Sequence, residues 1–139
     1  MAQMNNIVVN SVGNNNNSAV TQAGLTNDSS VEQIGDNNMS TVDQDGTSNI
    51  SVVRQDDGTF GQVADDNISN VEQDGTMNDS FVWQDGDDND SDVNQNEDSN
   101  TSDVDQWGDR NDSSVDQDGN GNFETLDQGI YKYCVAKWK

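Results

Sequence analysis

Polar and apolar residues alternate along most of this chain, and the alternation restarts about every eleven residues. Within one unit Asn, Ser, Val and Gln occupy every second position, as they do from Asn38 to Gln44. A period of two is that of a β-strand, because successive strand side chains point to opposite faces. The pattern therefore predicts a strand of about seven residues in each unit, with these four residue types on one face.

The strand of each unit is followed by x-Gly-x-x after its glutamine, which predicts a turn of about four residues. Glycine tolerates the backbone conformations that tight turns require. The predicted turn glycines are Gly24, Gly35, Gly46, Gly75, Gly86, Gly108 and Gly119. Ala64 and Glu97 stand in the same place in two other units.

One strand cannot bury its own inward face, but two consecutive strands folded face to face share a thin core. We define such a pair as a rung, and parallel stacking of rungs at about 4.8 Å gives an all-β solenoid of about six rungs. The strands are expected to be in register, as in amyloid. Val31 is then expected next to Val53, and Gln33 next to Gln55, with amides bonding amide to amide along the stack.

This architecture predicts a core of inward side chains drawn from the four repeated residue types. The predicted core residues are Ser29, Val31, Gln33, Asn38, Ser40, Val42, Gln44, Asn49, Ser69, Val71, Gln73, Asn78, Ser80, Val82, Gln84, Asn100, Val104, Gln106, Val115 and Gln117.

The repeat divides the chain into three parts. Residues 1–15 form a degenerate capping unit, as expected for a terminal repeat. Residues 16–128 form the regular solenoid, with one shortened unit at 56–62 that predicts a tight corner or a local defect. Residues 129–139 form a basic tail or a final strand.

Composition and charge exclude several classes of partner. The chain has 27 acidic and 5 basic residues and no histidine. Nucleic acid and anionic membranes are therefore poor partners, because binding to phosphate requires Lys and Arg. No apolar run is long enough for a spanning helix, so we expect no membrane insertion. The first residues lack a basic segment followed by an apolar stretch, so either the protein is not secreted or its signal peptide has been removed.

The repeated Ser-x-Val-x-Gln-x-Gly-x-x-Asn-x-Ser-x-Val-x-Gln resembles the curlin repeat, the unit of bacterial curli fibre subunits, from about Asn16 to Gln128. The resemblance implies secretion and end-to-end assembly into extracellular functional amyloid for biofilm matrix and adhesion. It also implies partners: copies of the chain itself, a nucleator subunit and a secretion pore. The body is similar to the major subunit, and the basic tail resembles the minor, nucleating subunit.

A soluble acidic binding module, for calcium or cell-surface carbohydrate, is the alternative. Asp43-x-Asp45-Gly46 looks like part of a calcium loop, but no segment completes the EF-hand pattern. We expect no metal site, no cofactor and no enzyme activity, because the carboxylates lie on an exposed face where nothing raises a pKa for acid catalysis.

Two outward features remain. Arg54 is expected between Glu32 and Glu72 in the stack, where it would relieve acidic repulsion. Phe81 and Trp83 are expected at outward positions of one strand, with Trp107 in a turn on the same side one rung later. They form either a contact or ligand surface or isolated surface aromatics.

Overall fold

The computed structural model describes residues 4–56, 64–129 and 133–138. These residues form twelve β-strands: β1 (Asn6–Val12), β2 (Asn17–Leu25), β3 (Asp28–Ile34), β4 (Met39–Thr47), β5 (Ile50–Gln55), β6 (Ile68–Thr76), β7 (Asp79–Asp85), β8 (Asp90–Asn96), β9 (Thr101–Trp107), β10 (Asp112–Asp118), β11 (Phe123–Gly129) and β12 (Tyr133–Trp138).

The strands form two six-stranded sheets that share one core. Sheet A has the order β1-β3-β5-β7-β9-β11, and sheet B has the order β12-β10-β8-β6-β4-β2. All pairings are parallel, and consecutive strands alternate between the two sheets. The predicted all-β solenoid of stacked two-strand rungs is confirmed.

In-register stacking places identical residue types next to one another along the axis. Val31 pairs with Val53 and Gln33 with Gln55, as the spacing predicts. The alternating burial within each central strand follows the predicted inward and outward faces. A column of valines closed by Leu126 forms the hydrophobic core, and Val20 and Ala136 pack partly buried at its two ends.

The shortened unit changes the spacing between stacked strands from 22 to 29 residues. Val42 pairs with Val71 and Val53 with Val82. The next described strand after β5 is β6, which lies in the opposite sheet. Apart from Asp56, the corner or defect expected at 56–62 lies outside the described residues.

This spacing corrects the predicted position of Arg54. Its neighbours are Glu32 on β3 and Trp83 on β7. The expected neighbour Glu72 is wrong, since Glu72 lies in sheet B between Asp43 and Asn94. Glu72 would be the neighbour of Arg54 only if the shortened unit were counted as a strand of its own between β5 and β6.

Candidate functional site

Glutamine side chains form two continuous hydrogen-bonded ladders through the interior. In sheet A, Gln33 donates to Gln55, Gln55 to Gln84, Gln84 to Gln106 and Gln106 to Gln128, each from Nε2 to Oε1 at 2.9–3.0 Å. In sheet B the same bonds join Gln22, Gln44, Gln73, Gln95 and Gln117 at 2.7–2.9 Å. All these bonds run from the N-terminal towards the C-terminal end of the stack. The ladders therefore give the solenoid a polarity.

Each glutamine also links the two sheets. The Nε2 group of Gln84 donates to the carbonyl oxygen of Ile68 in sheet B at 2.7 Å, and that of Gln95 donates to the carbonyl oxygen of Asp79 in sheet A at 2.9 Å. Both amide protons are thus used, one along the axis and one across the core. Pairing makes the burial of so many amides possible, since each buried amide group left unpaired would cost about 1–3 kcal/mol.

The asparagine columns bond differently from the glutamine columns. The backbone N–H of Asn78 donates to Oδ1 of Asn49 at 3.0 Å, and that of Asn100 donates to Oδ1 of Asn78 at 3.0 Å. The Nδ2 group of Asn78 donates to the turn carbonyls of Asp74 and Glu97 instead. The prediction of amide-to-amide bonding is thus confirmed for glutamine and wrong for most asparagines. Side-chain bonding between asparagines occurs from Asn111 to Asn89 at 3.0 Å.

Serine hydroxyls line the remaining inward positions without hydrogen-bond partners. These buried groups belong to Ser29, Ser40, Ser51, Ser69, Ser80, Ser91, Ser102 and Ser113. The structure places every predicted core residue in the interior. Those residues are Ser29, Val31, Gln33, Asn38, Ser40, Val42, Gln44, Asn49, Ser69, Val71, Gln73, Asn78, Ser80, Val82, Gln84, Asn100, Val104, Gln106, Val115 and Gln117.

The turns stack as closely as the strands. Each predicted turn glycine has a positive φ, from +88° to +132° over Gly24, Gly35, Gly46, Gly75, Gly86, Gly108 and Gly119. A Cβ atom added to Gly46 would overlap the carbonyl oxygen of Gly75 in the next turn. Glu97 adopts a φ of 74° in the place of glycine. Stacking, in addition to the positive φ, therefore explains the glycine at these turns.

The N-terminal end of the stack is an open, apolar edge. Ile7 and Val9 occupy the inward Ser and Val places of β1, yet they are 49% and 47% exposed because no other strand in the described part of the chain covers them. The glutamine ladders begin here, and Oε1 of both Gln22 and Gln33 is buried without a hydrogen-bond partner. For Gln33 the cause is local, since Ser11 stands where a donor glutamine would lie.

The C-terminal end is formed by β11 and β12. Strand β11 is the last described strand of sheet A, and Phe123 at its start is 68% exposed. Strand β12 pairs with β10, which places Ala136 next to Val115 and Lys137 next to Asp116. The Lys137 ammonium lies 2.6 Å from the Asp116 carboxylate, and this hydrogen bond raises the pKa of Lys137.

Charge is distributed unevenly between the ends and the body. Residues 1–27 contain no charged side chain, whereas residues 28–122 contain 25 acidic and 2 basic residues, a net charge of −23. Residues 123–139 contain 2 acidic and 3 basic residues, a net charge of +1. The uncharged first rung is not among the features predicted above, although the absence of charged residues before Asp28 is visible in the sequence.

The acidic body is under electrostatic strain. Burial raises the pKa of Asp79, Asp90 and Asp105, and neighbouring carboxylates raise each further. For Asp90 those neighbours are Asp112, its partner on β10, and Asp92. Like charges on adjacent strands oppose pairing, so protonation of these groups relieves repulsion.

A buried network joins the residue after β5 to the outer face of sheet A. Asp56, with a side chain 6% exposed, accepts from Arg54 at 2.8 Å and from Nε1 of Trp83 at 2.9 Å. Arg54 also contacts Glu32 at 3.4 Å. The sequence offers no signal for this network, because the 29-residue spacing that aligns Arg54 with Trp83 breaks the repeat.

The three aromatic residues share the outer side of sheet A, as predicted, but Trp107, expected in a turn, is the last residue of β9. Trp83 on β7 and Trp107 at the end of β9 have ring centroids 5.7 Å apart at an angle of 54°. Phe81 lies on the same face, two residues before Trp83.

The outer face of sheet B carries the carboxylates that resembled a calcium loop. Asp43 pairs with Glu72 and Asp45 with Asp74, beside a shallow groove of about 180 Å³. Across the described part of the chain, no group of three or more His, Cys, Asp or Glu side chains is arranged to hold a metal ion. The same residues include no helix long and apolar enough to cross a membrane.

Comparison with known proteins gives one match. The family model described as the curlin associated repeat matches residues 13–46 and 64–96. Neither the curated proteins nor the solved structures contain a significant match.

Proposed function

The chain belongs to the curlin repeat family, and from this premise we propose that it is a structural subunit that assembles end to end into extracellular curli-like amyloid fibres. The observation that carries the proposal is the uncharged, apolar edge at β1. In β3 to β10 the same inward Ser and Val places are buried by the neighbouring strands. A second copy stacked on this edge would bury them in the same way.

Continuing the column of core residues from one molecule into the next defines the register of the joint. Strand β11 of one molecule would pair with β1 of the next, which places Leu126 next to Val9. Strand β12 would pair with β2, which places Ala136 next to Val20. These pairs would extend the valine column of each molecule into the next. The same head-to-tail contact repeats without closing, and such an interface generates filaments.

The charge distribution supports this joint. Stacking one acidic rung on another would bring like charges within about 5 Å. The joint instead brings an uncharged first rung against a terminal segment of net charge +1. The acidic residues that repel one another between copies therefore lie in residues 28–122, and the segments that meet at the joint carry little net charge.

In the cell, the proposed fibre contributes to biofilm matrix and adhesion. A nucleator subunit and a secretion pore are the partners that a curli-type subunit requires. The basic tail resembles the minor subunit, but the regular body resembles the major, fibre-forming subunit. We therefore propose the major-subunit role.

The experiment that tests the proposal compares two single substitutions in β1. Val8 and Val9 are 50% and 47% exposed, so Val8→Asp and Val9→Asp should disturb the monomer equally. Val8 points outward and would stay exposed in a stack, whereas Val9 points inward and would be buried. Elongation from preformed seeds is followed by electron microscopy and light scattering, with fibre diffraction on the product.

The unsubstituted chain and Val8→Asp should form unbranched fibres with reflections near 4.8 and 10 Å. Val9→Asp should remain folded by circular dichroism and should not elongate, because a charge in a dry core is strongly unfavourable. Equal elongation by both variants would refute this joint. An unsubstituted chain that stays monomeric at high concentration would refute the fibre function and favour the soluble binding module.

A further inference from the structure

The outer face of sheet A presents two indole rings in a fixed arrangement. Trp83 is held by the hydrogen bond from its Nε1 to Asp56, and Arg54 holds Asp56 in turn. Trp107, on the next strand of the sheet, packs against Trp83 at 5.7 Å and remains 51% exposed. The pair is thus an ordered aromatic surface with one ring largely open to solvent.

A carboxylate with an unused oxygen lies beside these rings. Asp105 is the residue opposite Trp83 on β9, and it is two residues before Trp107 on the same outward face. Its Oδ1 atom is enclosed and has no hydrogen-bond partner. Burial, together with Asp103 and Asp127, raises the pKa of the Asp105 carboxyl.

The positive charge on this face is already engaged. Arg54 pairs with Glu32 and Asp56, on the N-terminal side of the tryptophans. Asp105 therefore carries a negative charge that its described surroundings disfavour. A half-buried carboxylate next to two indole rings favours a cation that can lose its hydration shell.

We propose that Trp83, Trp107 and Asp105 form a binding site for an organic ammonium group, such as a quaternary or alkylated ammonium. The ring faces attract such a cation through their quadrupoles, and its alkyl groups pack on the indoles. The carboxylate supplies the opposite charge. A small inorganic cation would lose more hydration against the rings, and a neutral ligand would leave the carboxylate unpaired.

Lateral packing of two fibres through this surface is disfavoured by charge. The same face carries Asp79, Asp103, Asp105 and Asp127. Two such faces in contact would bring these carboxylates together. The site lies on the outer face of sheet A, whereas the proposed joint uses the edges of the end strands, so the site would remain open in a monomer and in a fibre. The inference therefore does not depend on the proposed assembly.

The test is a titration of the full chain with choline, at constant ionic strength maintained with sodium chloride. Binding is measured by tryptophan fluorescence and by equilibrium dialysis. The matched ligand is 3,3-dimethylbutan-1-ol, which has nearly the shape of choline without its charge. The variants are Asp105→Asn, Trp107→Ala and the control Asp92→Asn, which removes one charge from the outer face of sheet B.

Choline should bind saturably with a dissociation constant of about 1–10 mM, and the neutral analogue should bind about tenfold more weakly. Asp105→Asn and Trp107→Ala should each weaken choline binding at least about fivefold, whereas Asp92→Asn should leave it unchanged. Equal binding of the neutral analogue would overturn the proposal. So would an equal loss in Asp92→Asn, which would show general attraction to an acidic protein.

A second arm identifies the source of the ammonium group. Phosphatidylcholine vesicles that retain the unsubstituted chain but not Asp105→Asn would identify a lipid headgroup. Choline binding without retention on vesicles would identify a soluble ligand. Circular dichroism of each variant separates loss of the site from loss of the fold.

Discussion

Gln55 donates a hydrogen bond from Nε2 to Oε1 of Gln84 at 2.9 Å, although 29 residues separate them instead of 22. The same Nε2 group lies 2.9 Å from the carbonyl oxygen of Met39 and 3.0 Å from that of Asn67. The ladder of sheet A therefore passes the shortened unit without a gap. Both the interior amides and the valine column thus stay aligned although one unit is shorter than the others.

We expect Gln84→Ala to lower the free energy of unfolding by about 2–4 kcal/mol. The substitution removes bonds to Gln55, Gln106 and the carbonyl of Ile68, and each orphaned buried group costs about 1–3 kcal/mol. Urea unfolding followed by circular dichroism measures the change. The outward Asn94→Ala should cost less than about 0.5 kcal/mol. Similar losses in both variants would show that the ladder adds little stability.

Gly46→Ala should destabilise the fold more than Gly121→Ala. Both glycines have positive φ, +123° and +71°, but only the added Cβ at Gly46 meets a stacked carbonyl, whereas nothing lies within 4 Å at Gly121. Gly121→Ala should cost about 1–2 kcal/mol from φ alone. Thermal unfolding of the two variants gives the comparison, and a larger loss at Gly121 would contradict the role of close turn stacking.

Val71→Asp should slow or stop fibre growth, because it places a charge in the buried valine column between Val42 and Val93. The adjacent Asn70→Asp adds the same charge on the exposed side of β6. Seeded elongation of the two variants separates the position of the charge from its presence. Normal growth of Val71→Asp would count against a dry valine core in the fibre.

Stability should rise as the pH falls from neutral towards the raised pKa values of Asp79, Asp90 and Asp105. In that range the folded chain binds more protons than the unfolded chain, so the free energy of unfolding increases on acidification. Urea midpoints between pH 7 and pH 4.5 test the sign. Asp90→Asn should reduce the dependence of stability on pH. A stability that falls on acidification throughout this range would show that the pKa values of these carboxyl groups are not raised in the folded chain.

Assembly should be faster in salt. The body carries a net charge of −23 on residues 28–122, and at about 0.1 M ionic strength charges separated by more than about 10 Å are largely screened. Lag times measured at about 0.01 M and 0.1 M sodium chloride at fixed protein concentration test this. Equal lag times would mean that repulsion between bodies does not limit assembly.

The alternation of residue types is enough to predict the strands, their inward faces and the solenoid, because alternation is a local property and one strand face must be buried. It also specified the in-register columns up to Gln55. The position of the strands past that residue could not be predicted from spacing, because β6 pairs with β4 and β7 with β5 at 29 residues, and the amide ladders stay unbroken. For this reason Arg54 lies next to Trp83 and not next to Glu72, as the regular spacing would predict.

Other features depended on geometry that residue spacing does not contain. The close approach of stacked backbones lets each asparagine Oδ1 accept from a backbone N–H, as Asn49 does from Asn78. The burial of Asp56 required Arg54 and Trp83 to meet across two strands. Sequence periodicity fixes which side chains point inward, whereas the partner of each polar group depends on distances set only when the rungs are stacked.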